Sequence, residues 1–234
     1  MHLDKRLQAV ASLVPKGASF ADIGTDHAYL PVWLWENGVI SAAVAGDIAA
    51  GPCQAARTTV AMYGAAKAIT VRQGSGLAVL SPGEAHCIAI CGMGGSTIIS
   101  ILEEQPEVAK AAKRLVLQPM AGAPTLRRWL SQHGWSLVEE TLVDDPPHFY
   151  EIICAEPLGG AAGAASSYSE AEYLLGPVLL RQGHPLLAKH IARQEHALQE
   201  LLVHMARSER AKASAKYAQT QHLLEAVRQL KGKY

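Results

Sequence analysis

The chain has 234 residues, of which 49% are apolar and 18% are charged, so it can form one large core and a smaller appended unit and is not disordered over most of its length. No apolar run approaches the roughly 20 residues that span a bilayer, and the four cysteines have no CxxC spacing, so we expect a cytoplasmic protein with reduced thiols and no membrane partner. Basic and acidic residues balance at 21 each over the whole chain, but residues 161–234 hold 10 basic and 6 acidic side chains. This local excess of positive charge favours an acidic partner for the C-terminal part, although a solvated helix face explains the charges as well.

Helical and strand-like patterns alternate from residue 4 to about residue 156. Short apolar runs typical of buried parallel strands lie at 18–23, 42–46, 68–72, 86–91 and 114–118, with helical stretches near 28–37, 50–63, 95–104 and 122–133. Residues 135–143 and 149–155 resemble an antiparallel pair that closes the sheet. The pattern predicts an α/β fold, with a Rossmann-like sheet of seven strands and an antiparallel edge.

The C-terminal part has a different pattern. Residues 159–167 are small and predict a linker, after which Ser169 can cap a helix that runs to Leu175. Apolar residues then recur at helical spacing over 185–207 and 212–230, which predicts two helices in an antiparallel hairpin joined near Ser208. We therefore expect a domain over residues 1–158 and a helical, coiled-coil domain over 166–234.

The turn after the first predicted strand carries the sharpest chemical signal. Gly24 permits close approach of a ligand to the backbone, and Asp47 ends the next strand at the distance expected of an acid that binds ribose hydroxyls. The turn also carries Asp26, whose carboxylate would repel a dinucleotide pyrophosphate. S-adenosyl-L-methionine, with its sulfonium and ammonium groups, suits this turn better, although Asp26 could also act only as a helix cap.

Other loops converge on the same edge of the predicted sheet. Gln73, Gly74 and Ser75 follow the third strand, where adenine would lie, although a turn without ligand contact is an equal alternative for Ser75. Three glycines in the stretch Gly92-Met93-Gly94-Gly95 predict a flat, backbone-lined floor. His27 has no second histidine or cysteine at metal-ligand spacing nearby, so we expect a packed or capping histidine and no metal.

Several motifs occur together in a fixed order: Asp22-Ile23-Gly24-Thr25-Asp26-His27-Ala28-Tyr29-Leu30-Pro31, Ala45-Gly46-Asp47, Gly92-Met93-Gly94-Gly95, Leu117-Gln118-Pro119, Leu126-Arg127-Arg128-Trp129-Leu130 and Tyr150-Glu151-Ile152. In this order they resemble the bacterial tRNA (adenine-22-N1)-methyltransferase family over residues 3–156. The resemblance implies a class I methyltransferase fold, a C-terminal coiled coil, S-adenosyl-L-methionine as cofactor and no metal.

The resemblance also implies roles for individual residues. Asp26 would be the catalytic carboxylate near the target base. Cofactor binding is expected of Asp22, Gly24, Thr25, Asp26, His27, Asp47, Gln73, Gly74, Ser75, Gly92 and Met93, and substrate binding of Gly94, Gly95, Tyr29, Arg6 and Arg127. Two residues depart from the family pattern, because an acid usually stands at Ser75 and an asparagine at Met120.

The expected partner is tRNA, with a single chain favoured as the acting unit. Its phosphates would contact basic side chains around the first domain and in the tail, namely Lys5, Arg6, Arg127, Arg128, Arg193, Arg207, Arg210, Lys212 and Lys216. Two alternatives stay open at this point: a methyltransferase of the same fold that acts on a small molecule or a protein, and a non-catalytic protein that binds the cofactor or RNA. A dinucleotide-dependent oxidoreductase is disfavoured by Asp26.

Overall fold

The computed structural model describes residues 1–159 and 167–233. The chain divides into two compact units, Met1–Ser166 and Ser167–Tyr234. The predicted linker over 159–167 lies almost wholly outside the described residues. No helix within the described part of the chain is long and apolar enough to cross a membrane.

The first unit is a seven-stranded sheet with helices packed on it. Its elements are α1 (Lys5–Ser12), β1 (Phe20–Ile23), α2 (Tyr29–Glu36), β2 (Ala43–Asp47), α3 (Ala50–Met62), β3 (Ile69–Gln73), a 3₁₀ turn (Gly76–Val79), β4 (Cys87–Gly94), α4 (Gly95–Glu104), α5 (Pro106–Ala111), β5 (Arg114–Ala121), α6 (Ala123–Gln132), β6 (Trp135–Asp145) and β7 (His148–Pro157). The strand order is β3-β2-β1-β4-β5-β7-β6. Strands β1 to β5 pair in parallel, and β7 runs antiparallel to both neighbours, which confirms the predicted sheet.

The central strands are apolar on both faces because helices cover both sides of the sheet. All four residues of β1 are buried, and Ile88, Ile90, Leu115 and Leu117 of β4 and β5 have no exposed surface. The strand register places Ile23 beside Gly46 on one side and Ile90 on the other. The loops that follow β1, β2 and β4 therefore leave the sheet side by side, at the edge where parallel sheets bind ligands.

The second unit is helical: α7 (Glu170–Leu175), α8 (Pro177–Gln182), α9 (Leu187–Met205), α10 (Glu209–Lys212) and α11 (Ala215–Lys231). Ser169 and Glu172 form the capping box of α7, and the carboxylate of Glu195 on α9 bonds Arg228 and Lys231 near the end of α11. Because only residues 206–214 separate the two helices, contacts this far along both of them show that α9 and α11 run antiparallel, as predicted. The connection differs from the prediction, because Ser208 caps the short additional helix α10 before Ser214 caps α11.

Candidate active site

The turn between β1 and α2 is held in a left-handed conformation. Gly24 has φ +74°, and the non-glycine residues Asp26 and Ala28 also have positive φ values, 51° and 57°. The backbone N–H groups of Gly24 and Thr25 donate to the carbonyl oxygen of Gly46, at 2.8 and 3.0 Å. Strained φ values of this kind persist only where neighbouring contacts fix them, and they are concentrated at functional sites. The turn is therefore tied to the end of β2, where Asp47 lies.

Asp26 does not cap the following helix. Helix α2 begins at Tyr29, and its N-cap residue, Ala28, provides no side-chain hydrogen bond. The Asp26 side chain is 71% exposed, and its backbone N–H points to the carboxylate of Asp47 at 3.4 Å. The capping alternative for Asp26 is therefore wrong. Its carboxylate is exposed at the turn, with Oδ1 3.6 Å from Nε2 of His27.

Asp22 is the buried acid of the site. It is 5% exposed and accepts a 2.6 Å hydrogen bond from the hydroxyl of Thr25. Burial raises its pKa to about 6, and Thr25 and the charge of Arg6 oppose this rise. A carboxylate kept charged at neutral pH against this cost favours a cationic ligand next to it.

A cavity of about 380 Å³, which we call the charged chamber, opens beside this turn. Its walls include three carboxylates and one guanidinium, together with an aromatic ring and a glycine: Asp4, Arg6, Asp22, Asp26, Tyr29 and Gly92. The rings of Tyr29 and His27 are stacked, with centroids 5.1 Å apart and an interplanar angle of 8°. Because Tyr29 is 45% exposed, it is a platform on the chamber wall and not part of the core.

Arg6 is fixed in the charged chamber by a buried amide. Its guanidinium donates to Oε1 of Gln118 at 2.9 Å, and the same oxygen accepts from the backbone N–H of Gly92 at 3.1 Å. The guanidinium also lies 5.8 Å from the centre of the Tyr150 ring. Gln118, which has no exposed surface, thus links the end of β5 to Arg6 and to the glycine loop. In the sequence, the only sign of this role of Gln118 is that its amide side chain stands within an apolar strand.

A second cavity of about 250 Å³, the apolar chamber, lies on the other side of Gly24, which lines both cavities. Its walls include Ile23, Gly46, Ile48, Gly74, Met93 and Ile101. A Cβ atom added to Gly46 or Gly74 would lie 2.7 or 2.8 Å from the side chain of Val79, and one added to Gly24 would lie 2.2 Å from the methyl carbon of Met93. Glycine is therefore required at these three positions, because a side chain there would collide with Val79 or Met93.

The loops after β2 and β3 contribute polar groups to the apolar chamber. The Asp47 carboxylate accepts from the backbone N–H of Ala49 at 2.9 Å, which orients it at the end of β2. Gln73 donates to the carbonyl oxygen of Ile48 at 3.3 Å, so its side chain orders the loop after β2. Ser75 lies on the wall. A carboxylate beside an apolar slot of this size fits a nucleoside, whose ribose hydroxyls donate to the acid and whose base is flat and apolar.

An ion pair outside the apolar chamber holds its wall in place. Arg72 pairs with Glu84 through two hydrogen bonds, at 2.6 and 2.9 Å, and donates to the carbonyl oxygen of Val79 at 2.7 Å. The hydrogen bond to Arg72 lowers the pKa of Glu84 below its usual range. Val79, whose side chain packs at Gly46 and Gly74, is thereby fixed through its backbone.

The structure corrects the substrate role predicted for Arg127. Its side chain has no exposed surface and pairs with Glu140 and Glu151, each at 2.6 Å. Although burial opposes its charge, the two carboxylates hold the pKa of Arg127 above its usual range. A guanidinium enclosed in this way holds α6 against β6 and β7, and it is not accessible to a phosphate.

The structure also corrects the substrate-binding role predicted for Gly95. It is buried, and a Cβ atom there would lie 2.5 Å from the carbonyl oxygen of Gly122. Close packing of α4 against the turn after β5 therefore explains this glycine, in place of the predicted contact with substrate. Met120, in contrast, is 51% exposed, and its sulfur lies 3.5 Å from the amide nitrogen of Gln118.

No group of histidine, cysteine, aspartate and glutamate side chains in the described residues has the arrangement of a metal site.

The model of a methyltransferase domain family matches residues 3–153. A Bacillus subtilis tRNA (adenine(22)-N(1))-methyltransferase is 39% identical over 189 residues, which are 81% of this chain and 79% of that protein.

Two solved structures match almost the whole chain. The crystal structure of the B. subtilis m1A22 tRNA methyltransferase is 34% identical and covers 98% of this chain and 99% of that one, with a TM-score of 0.87. A Streptococcus pneumoniae protein assigned as a tRNA (m1A22) methyltransferase, solved with S-adenosyl-L-methionine, is 32% identical and covers 98% and 100%, with a TM-score of 0.84. This chain therefore belongs to the tRNA (adenine(22)-N(1))-methyltransferase family.

Proposed function

We propose that this protein transfers a methyl group from S-adenosyl-L-methionine to N1 of adenine 22 in tRNA. The observation that carries the proposal is the pair of chambers that meet at Gly24, one apolar beside Asp47 and the other charged around Asp22 and Asp26. Membership of the family supports the choice of cofactor and acceptor.

The residues of the two chambers suit this cofactor. The adenosine part fits the apolar chamber, where Asp47 would accept from the ribose hydroxyls. The methionine part fits the passage past Gly24 and Gly92, where buried Asp22 would attract its ammonium group. His27, Gln73 and Ser75 line or order the same two cavities. When bound, this cofactor supplies an electrophilic methyl group on a sulfonium sulfur.

The charged chamber suits the acceptor base. Tyr29, already stacked on His27, offers a flat face on which an unpaired adenine can stack. Gly94 continues the glycine loop beside Gly92. Because N1 lies on the Watson–Crick edge, the base must leave any pair before it enters the chamber, at a cost of a few kcal/mol.

The protein does not have to transfer a proton before adenine N1 attacks the methyl group. Adenine N1 already carries a lone pair, so no side chain has to remove a proton from it. Positive charge develops on the base as the bond to carbon forms, and the carboxylate of Asp26 stabilises that charge. Arg6, fixed by Gln118, limits the excess of negative charge in the chamber. Holding the base in line contributes further through orientation.

The remainder of the tRNA would be held by phosphate contacts. Exposed basic side chains gather where α9, α10 and α11 meet, namely Arg207, Arg210, Lys212 and Lys216, and Lys5 lies on α1. Affinity carried by such contacts falls steeply with salt. Each chain has both chambers, so a single chain in the cytoplasm is the acting unit in this proposal.

The test is methyl transfer from labelled S-adenosyl-L-methionine to an unmodified bacterial tRNA, followed by nuclease digestion and mass spectrometry of the nucleosides. We expect N1-methyladenosine, and we expect it to disappear when adenine 22 of the tRNA is replaced by guanine. Methylation that survives this replacement would assign another position. Measurable cofactor binding with no product from several tRNAs would point to a different acceptor or to a non-catalytic role.

A further inference from the structure

Helix α4 forms one wall of the apolar chamber with a single polar stripe. Thr97, Ser100 and Glu104 stand three and four residues apart, and all three line the cavity together with Ile101. This spacing puts them on one face of the helix. A Cβ atom added to Gly76 would lie 3.1 Å from the side chain of Ile101. This face of α4 therefore packs closely against the 3₁₀ turn that follows β3.

Glu104 is the acidic residue of this stripe, and its carboxylate has no bonding partner within the described residues. The residue is exposed. Its neighbour Glu103 points elsewhere and accepts a 2.7 Å hydrogen bond from the indole nitrogen of Trp129. The other carboxylate of the chamber, Asp47, is oriented by Ala49 and lies beside the turn that contains Asp26.

The position of Glu104 in its helix makes the unused carboxylate more significant. It is the last residue of α4, and a negative charge is destabilising at the C-terminus of a helix. Local stability therefore does not explain the acid. A ligand with a hydrogen-bond donor at this end of the chamber would explain it.

We propose that Glu104 reads the 6-amino group of the cofactor's adenine and makes the apolar chamber selective for adenine over other purines. The inference rests on the proposed binding of the nucleoside in this chamber. With the ribose at Asp47, the base extends toward the α4 stripe, and the 6-amino group is a donor on the outer edge of adenine. A carboxylate accepts from this amine, but it repels the carbonyl oxygen that hypoxanthine has at the same position.

The experiment compares the binding of S-adenosyl-homocysteine and S-inosyl-homocysteine by calorimetry. The wild-type protein should prefer the adenosyl compound by about tenfold or more. Glu104→Ala should weaken binding of the adenosyl compound by about fivefold to tenfold, leave the inosyl compound unchanged or tighter, and so remove most of the preference. Glu104→Gln, which keeps an acceptor oxygen, should retain part of it.

Glu103→Ala is the matched control, because it removes the same charge from the adjacent residue, which faces Trp129. It should keep the wild-type preference. Glu104→Ala should unfold at or slightly above the wild-type temperature, because its side chain is exposed and its charge is unfavourable at the end of α4. A Glu104→Ala variant that still prefers the adenosyl compound as strongly as the wild type would overturn the inference. A wild-type protein that binds neither compound would overturn the cofactor assignment beneath it, whereas normal binding without tRNA methylation would overturn only the proposed acceptor.

Discussion

The charged chamber and the apolar chamber share Gly24, yet they are shaped in different ways. In the charged chamber, side chains do the shaping: Arg6 is held by a buried amide, and Asp22 is held by a hydroxyl. In the apolar chamber, backbone forms much of the wall: Gly46 and Gly74 line the cavity, and Val79 packs closely against both of them. The difference indicates separate tasks, since charges are needed where charge develops in a reaction and space is needed where a flat group is bound.

The largest expected effect comes from removing the exposed carboxylate of the charged chamber. Asp26→Ala should lower kcat about 100-fold, because the charge that develops on the adenine loses its stabiliser, and it should leave the affinities for cofactor and tRNA nearly unchanged. Steady-state kinetics with both substrates varied measures the split. Glu107→Gln, which alters an exposed acid in the first turn of α5 that lines neither chamber, is the control. An Asp26→Ala enzyme with unchanged turnover would remove Asp26 from this role.

The corresponding change in the apolar chamber should act on binding and not on turnover. Asp47→Asn should weaken S-adenosyl-homocysteine binding about 10-fold to 30-fold, because a charged acceptor for hydroxyl groups becomes a neutral one. At saturating cofactor, kcat should stay within about twofold of the wild-type value. If Asp47→Asn lowered kcat and left the cofactor affinity intact, the division between the chambers would be contradicted.

The buried acid Asp22 should couple cofactor binding to pH. Its folded-state pKa of about 6 lies above the ordinary value, so it is charged at pH 7.5 and becomes protonated as the pH falls through 6. Cofactor affinity should fall about tenfold from pH 7.5 to pH 5 in the wild type. The affinity of Asp22→Asn should be weak and nearly independent of pH. A wild-type affinity that does not change over this range would contradict the role of Asp22.

The same residue should reduce stability at neutral pH. A carboxyl whose pKa is raised by folding destabilises the folded state above its folded pKa, and this cost is lost below the unfolded pKa of about 3.9. Asp22→Asn should therefore be more stable than the wild type at pH 7.5, by about 1 to 3 kcal/mol, with no difference near pH 3.5. Urea unfolding at both pH values measures it, and a variant less stable at pH 7.5 would show that the carboxylate stabilises the fold.

The smallest effect should come from loosening the wall of the apolar chamber. Val79→Ala removes the methyl groups that pack against the lining residues Gly46 and Gly74, so cofactor affinity should fall about threefold as this part of the wall relaxes, with kcat unchanged. The control is Val60→Ala in α3, which is buried away from both cavities and should lower stability without altering affinity. Tighter binding by Val79→Ala would show that the wild-type chamber is too narrow for its ligand.

Much of the fold was predictable because its signals are local. The apolar runs of the parallel strands, the turn at Gly24 and the acid at Asp47 are each visible within a few residues, and together they define the sheet edge where ligands bind. The antiparallel pair of β6 and β7 was visible for the same reason. The short helix α10 was not, because its four residues carry no apolar periodicity and only the cap at Ser208 marks it.

The parts that could not be predicted depend on partners far away in the chain. Arg127 beside Arg128 has the pattern of a phosphate-binding pair, and only contacts with Glu140 and Glu151, 13 and 24 residues later, make it a buried structural residue. Gln118 bonds an arginine 112 residues earlier. Periodicity and spacing contain no information on such pairings, so a charged residue on a helix is assigned to the surface by default.

The most direct test of the two-chamber account is a crystal structure of this protein with S-adenosyl-homocysteine. We expect the ribose at Asp47, the adenine in the apolar chamber between Ile48 and α4, and the amino acid end beyond Gly24, beside Asp22. Electron density that places the whole ligand in one chamber, or the adenine beside Tyr29, would contradict it.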